Sequence, residues 1–145
     1  IDDREKFANR ENFPSARQVL VSDFETCFEQ LTMTPSSYVV IVTRGHRYDQ
    51  LVLSKAVRTN ASYVGLIGSK AKVGRIFKAL REEGVADSRL AEVRAPIGVD
   101  IGCRSPEEIA ISIAAELIGH RRRPFIKGAG RRIRFSSASE SPISR

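Results

Sequence analysis

Two cysteines, Cys27 and Cys103, are all the thiol chemistry in this 145-residue sequence, and they stand far apart. A disulfide framework or a zinc site calls for closely spaced ligands, so both are disfavoured and reduced thiols fit best. Long apolar runs are lacking too. No stretch approaches the roughly 20 residues that cross a bilayer, so no membrane is expected. Ile1-Asp2-Asp3-Arg4 is polar and acidic, unlike a signal peptide, and a cytoplasmic location is the expectation. Without a secretory signal, the sequon Asn60-Ala61-Ser62 reads as chance. The sequence also lacks an initial methionine, as a piece of a longer chain would.

An excess of charge is lacking from most of the chain. Residues 1–119 hold 16 Lys+Arg against 16 Asp+Glu, while residues 120–145 hold 8 Lys+Arg against Glu140 alone, which gives the whole +7. The pI of 9.9 therefore describes a tail. Residues 121–145 run from Arg121-Arg122-Arg123-Pro124 to a serine-rich end, and a solvated, disordered tail is the expectation. Contact of that tail with nucleic acid or an acidic partner is the less favoured reading.

What is present is an ordinary 41% hydrophobic content and a chain long enough for a core. Gln18-Val19-Leu20-Val21 reads as a short strand. Ser22 with Glu25 then reads as a capping box opening a helix that turns Phe24, Phe28 and Leu31 inward. Tyr38-Val39-Val40-Ile41-Val42 is the strongest strand, and its continuous apolar character predicts cover on both faces. A helix follows from Tyr48-Asp49. Tyr63 to Ile67 is a second buried strand running into Gly68, with Ser69 capping a helix over about 70–83 and Gly84 closing it. Asp87 and Ser88 open a short helical turn ending near Val93. Ser105-Pro106-Glu107-Glu108 starts a helix by cap, N1 proline and capping box together, and it runs to about Gly119. Apolar residues surround that helix almost completely, which predicts burial by the sheet and by neighbours or a partner chain. The alternation of strand and helix predicts an α/β, Rossmann-like fold with a mainly parallel sheet.

In such folds ligands sit at the carboxyl ends of the strands. Thr43, Arg44, Gly45 and His46 are placed there after the first strong strand. Gly68, Ser69 and Lys70 are placed there after the second, where free N–H groups and a cation suit a phosphate. A compact β–α connection is the plainer reading of Gly68-Ser69. His46 near Asp49 could form an acid–base pair, although a capping or loop residue is the plainer reading. Asp3, ending a strand, could hold a ribose, or simply be a loop residue. Ala95 to Gly102 is a glycine-punctuated loop whose apolar teeth lie against a ligand or the sheet.

Several of these motifs together resemble the C-terminal Rossmann domain of the XdhC/CoxI family. They are Tyr63 to Ser69, Ala95 to Gly102, Ser105-Pro-Glu-Glu-Ile-Ala110 with Ala115-Glu116, Thr43 to His46 with Asp49, and Asp2-Asp3-Arg4 with Phe7-Ala8-Asn9 and Phe13-Pro14. The likeness covers about residues 1–120. It implies an accessory factor, not a turnover enzyme, that binds molybdenum cofactor (molybdopterin). Such a factor supports the cofactor's sulfuration by a cysteine desulfurase and its delivery to a molybdenum hydroxylase such as xanthine dehydrogenase. The implied cofactor-binding residues are Asp3, Thr43, Arg44, Gly45, His46, Gly68, Ser69, Lys70, Gly98, Asp100 and Gly102, with no metal ligands. Cys103 is not expected to carry sulfur.

The family domain opens with a strand, glycine turn and helix ahead of the Asp2-Asp3-Arg4 segment, and this sequence lacks that unit. In a sheet of order 3-2-1-4-5 its absence leaves two strand edges unpaired. Marginal stability or homo-oligomerisation is the expectation. An NAD(P)-binding oxidoreductase fragment using His46 is the alternative function. A docking module using the arginine tail is a third.

Overall fold

A computed structural model describes residues 1–122, so nearly all of the tail expected over 121–145 lies outside the described residues. The chain divides into two compact units, Ile1–Ile97 and Gly98 onward.

In the first unit Tyr38–Ile41 forms β1 and Tyr63–Leu66 forms β2. They run parallel, with Tyr38 opposite Tyr63 and Ile41 opposite Leu66. Helix α1, His46–Ala56, connects them, and α2, Lys70–Glu82, follows β2. A short α3 spans Asp87–Glu92. Arg94 then adds one parallel bridge on the far side of β2, its N–H donating to Val64 and its carbonyl accepting from Leu66, both at 2.9 Å. This is the Rossmann-like order of parallel strands with flanking helices.

The core follows from periodicity. Ile41, Val64 and Leu66 meet Val52, Leu53 and Ala56 of α1, then Val73, Ile76 and Leu80 of α2 and Leu90 of α3. Gly65 is required by packing, since a Cβ there would meet the Ile97 side chain at 2.4 Å. Ser69 caps α2 as expected, accepting from the Lys72 N–H at 3.2 Å, and Gly84 follows its end with φ +82°.

Several expectations change. Residues 18–21 make one parallel bridge, Asp2 with Val21, in place of a strand. The helix expected from Ser22 is a set of turns ending in a 3₁₀ turn, Cys27–Gln30. The reason is local competition. The Asp23 carboxylate takes the Glu25 N–H at 2.8 Å, and the Ser22 hydroxyl accepts from Gln30 at 2.7 Å, so the capping serine is diverted. Finally, β1 is not covered on both faces. Ile41 is buried, but Tyr38, Val40 and Val42 on the alternate face are exposed. Among the described residues β1 pairs with β2 alone.

The second unit holds α4, Pro106–Arg122, which continues past the expected Gly119 to the last described residue. Its capping box forms: Ser105 accepts from the Glu108 N–H, and the Glu108 carboxylate accepts from the N–H groups of Arg104 and Ser105. Those backbone donors hold the Glu108 carboxyl below the usual range. The loop from Gly98 lies along one side of α4. The Gly98 N–H reaches the Glu116 carboxylate and the Val99 N–H reaches the Ser112 carbonyl at 3.2 Å. Gly98 has φ +100°, and a Cβ there would meet the Ser112 hydroxyl at 2.4 Å. The helix is not enclosed as its composition suggested, because Ile111 and Ile118 on its other side are exposed.

Candidate functional site

The carboxyl ends of β1 and β2 bring two helix N-termini to one end of the first unit. After β1 the chain turns at Gly45, whose φ of +91° favours glycine. A Cβ at Gly45 would find nothing within 4 Å, so the α1 N-terminus is open. The helix starts at His46, two residues earlier than expected, with no side-chain cap.

The strongest electrostatic feature here was not singled out as a unit by sequence reasoning. Asp49, in the first turn of α1, is fully buried. Its Oδ1 accepts from the Thr43 hydroxyl at 2.6 Å, and its Oδ2 pairs with the Lys72 ammonium in the first turn of α2. An isolated buried carboxylate is costly, and these two partners offset that cost. The Lys72 side chain lies over Gly68, where a Cβ would come within 2.8 Å of its Cδ. The turn after β1, the start of α1 and the start of α2 are thereby tied through three side chains. With both Asp49 oxygens engaged by Thr43 and Lys72, the His46–Asp49 pair does not form, and His46 is exposed.

Arg44 is anchored differently. Its Nη2 meets Asp3 Oδ2 at 2.7 Å, and its guanidinium lies over the Tyr48 ring at 5.7 Å. Arg4 approaches the other Asp3 oxygen at 3.6 Å. Asp3 thus fixes Arg44 at the end of β1. Neighbouring Asp2 accepts from Arg4 at 2.8 Å, and that hydrogen bond holds its carboxyl below the usual range. Ser69 and Lys70, opening α2, are exposed.

The structure thus brings Asp3, Thr43, Arg44, Gly45, His46, Gly68, Ser69 and Lys70 into one unit. Gly98, Asp100 and Gly102 belong to the second, where Asp100 and Gly102 are exposed. The signal for Asp49 lies in the sequence: it shares the 49, 52, 53, 56 stripe with Val52, Leu53 and Ala56, so it had to face the core. Lys72 carries no such signal.

Two hollows open at the opposite end of the strands, lined by Val57, Ser62, Arg89 and Glu92 and by Asn60, Gly84 and Ala86. Arg89 is already committed there, donating to the Val57 and Thr59 carbonyls at 3.0 and 2.8 Å. Among the described residues no cluster of three His, Cys, Asp or Glu could hold a metal, and no helix is long and apolar enough to cross a membrane.

Burial pushes the Cys27 thiol up, which disfavours the reactive thiolate, whereas Cys103 is half-buried.

Comparison with known proteins agrees with this architecture. A Bacillus halodurans protein solved as a xanthine dehydrogenase superposes with a TM-score of 0.71 at 30% identity, over 89% of this chain and 36% of that one. An uncharacterized Escherichia coli protein, YqeB, is 36% identical over 76% of this chain and 20% of its own length. A Bacillus subtilis protein described as a probable xanthine dehydrogenase subunit is 28% identical over 84% of this chain and 35% of its own. The chain therefore spans well under half of the relatives it matches. The family model for the XdhC Rossmann domain matches residues 1–117, and the chain belongs to that family.

Proposed function

We propose that this chain is the cofactor-holding Rossmann part of a maturation factor for a xanthine dehydrogenase-type molybdenum hydroxylase. On this reading it binds molybdenum cofactor and helps its sulfuration by a cysteine desulfurase and its insertion into the apoenzyme, in the cytoplasm. Family membership supports the association with xanthine dehydrogenase.

The observation that carries ligand binding is the open α1 N-terminus at Gly45, flanked by Arg44 and sharing the strand ends with the capped α2 N-terminus. Unpaired N–H groups at a helix start favour an anion. Arg44 is preset by Asp3, and Lys70 stands exposed on the first turn of α2. This donor set fits the phosphate of a pterin cofactor. The bound molybdenum cofactor would supply the sulfur-accepting metal centre. The residues of this chain would grip the phosphate, orient the group and hold charge without entering the chemistry. Asp49 engages Lys72, whereas Arg44, Arg47 and Lys70 present exposed cations at these two helix starts.

The test is an anaerobic titration of the purified chain with molybdenum cofactor, in which bound cofactor is separated from free and quantified by the fluorescence of its oxidised pterin, with NAD(P) as the control ligand. Saturable pterin binding that Arg44→Glu weakens, with no dinucleotide binding, is expected. Dinucleotide binding without pterin binding would overturn the proposal in favour of an oxidoreductase fragment.

A further inference from the structure

The exposed side of α4 carries an ordered pattern. Glu107, Glu108, Ile111, Ala114, Ala115, Ile118, Arg121 and Arg122 recur at the spacing that puts them on one stripe of a helix, and every one of them is exposed. Ile111 and Ile118 keep 63% and 54% of their surface in contact with solvent. The stripe is symmetric about Ala114-Ala115 in its apolar residues and antisymmetric in its charges. Two acids stand at one end and two arginines at the other, about 22 Å apart at 1.5 Å per residue.

We propose that this stripe is a self-association surface on which α4 pairs antiparallel with α4 of a second copy of the chain. An isologous pair must match each residue with its mirror position. Rotation about Ala114-Ala115 sets Ile111 against the partner's Ile118. It sets Glu107 against the partner's Arg122, and Glu108 against the partner's Arg121. The alanines at the centre let the backbones approach closely. Parallel pairing would instead stack acids on acids and arginines on arginines, so the charge pattern selects the antiparallel arrangement. Glu108 already caps its own helix through the N–H groups of Arg104 and Ser105, and a hydrogen bond from the Ser105 side chain holds the Glu107 carboxyl below its usual range, so both acids present a charged carboxylate to the partner. One helix pair is a small contact, below about 1,200 Å² in total, so the dimer belongs to the weak, reversible class.

Sedimentation of the full 145-residue chain over a range of concentrations tests this. A reversible monomer–dimer equilibrium that weakens with added salt is expected. Glu107→Lys and Arg122→Glu each weaken it roughly tenfold, and the two together restore it to within about threefold of the parent. The two positions lie too far apart along one helix to touch, and both reversals oppose the helix dipole, so rescue must come from across the pair. Circular dichroism of each variant confirms that the fold is kept. A single-chain mass at every concentration would overturn the proposal. So would a dimer indifferent to Ile118→Glu, or a double reversal that fails to rescue.

Discussion

β1 and β2 are neighbours of equal length with similar composition, yet they live in different surroundings. All four residues of β2 are buried, and both of its edges are paired, by β1 and by Arg94. Among the described residues β1 is paired on one edge, and of its four residues only Ile41 is buried. The difference is not local propensity, since both strands are rich in residues that favour a pleated surface. It is set by what lies alongside. A strand sequence records the environment for which it suits, and its actual cover depends on chain far away in sequence. β1 reads as a central strand and stands as an edge.

The largest effect is expected at the point where β1 is held by something other than its ladder. Thr43, two residues past β1, reaches through Asp49 to Lys72 of α2, which follows β2. Asp49→Ala removes the carboxylate and leaves the largely buried Lys72 ammonium without its counter-charge. A loss of roughly 3–5 kcal/mol in urea unfolding is expected. A loss below about 1 kcal/mol would mean that β1 is held by backbone pairing alone, and the clamp would drop out of the account.

A single substitution made in both strands sharpens the comparison. Val64→Thr puts a hydroxyl into the core against α1 and α2, at an expected cost of about 1–3 kcal/mol. Val40→Thr keeps a β-branched residue on the exposed face and should stay within about 0.5 kcal/mol of the parent. Equal losses at the two sites, measured by thermal melting, would show that the outer face of β1 is covered in solution after all.

The elements that could be read from sequence are those decided within a few residues. Ser69 and Gly84 bound α2 because a cap and a left-handed glycine act on their own turn. The Ser105–Glu108 box opens α4 for the same reason. The helix expected at Ser22 failed through equally local rivals, Asp23 and Gln30, which spend the capping hydroxyl elsewhere. Cover over β1, and over Ile111 and Ile118 on α4, could not be read because no local rule states which neighbour is present. At the site, Gly45 and Arg44 were legible from their place after a strand. Asp49 was visible as a polar residue on an apolar stripe, but its partner Lys72 comes from another helix, and only the folded chain brings them together.

The smallest effect belongs to the weakest parallel pairing, the single bridge between Asp2 and Val21. With so little backbone ladder, this bridge leans on side chains, and Asp2 accepts from both the backbone and the guanidinium of Arg4. The hydrogen bond from Arg4 lowers the Asp2 carboxyl from its ordinary 3.8. A depressed folded value means that the unfolded chain takes up the proton first as pH falls. The contribution is therefore complete above about pH 3.8 and is lost as pH falls through the lower folded value. Both side chains are about a third exposed, so solvent screening keeps the term below about 1 kcal/mol. Asp2→Asn should accordingly unfold at slightly lower urea than the parent at neutral pH, and the gap should close in acid. β2, whose hold rests on apolar contacts and two paired edges, should show no matching pH dependence in Val64→Thr. If the Asp2→Asn gap persists unchanged in acid, the Arg4 charge is not what steadies this bridge, and the pairing rests on its backbone hydrogen bonds.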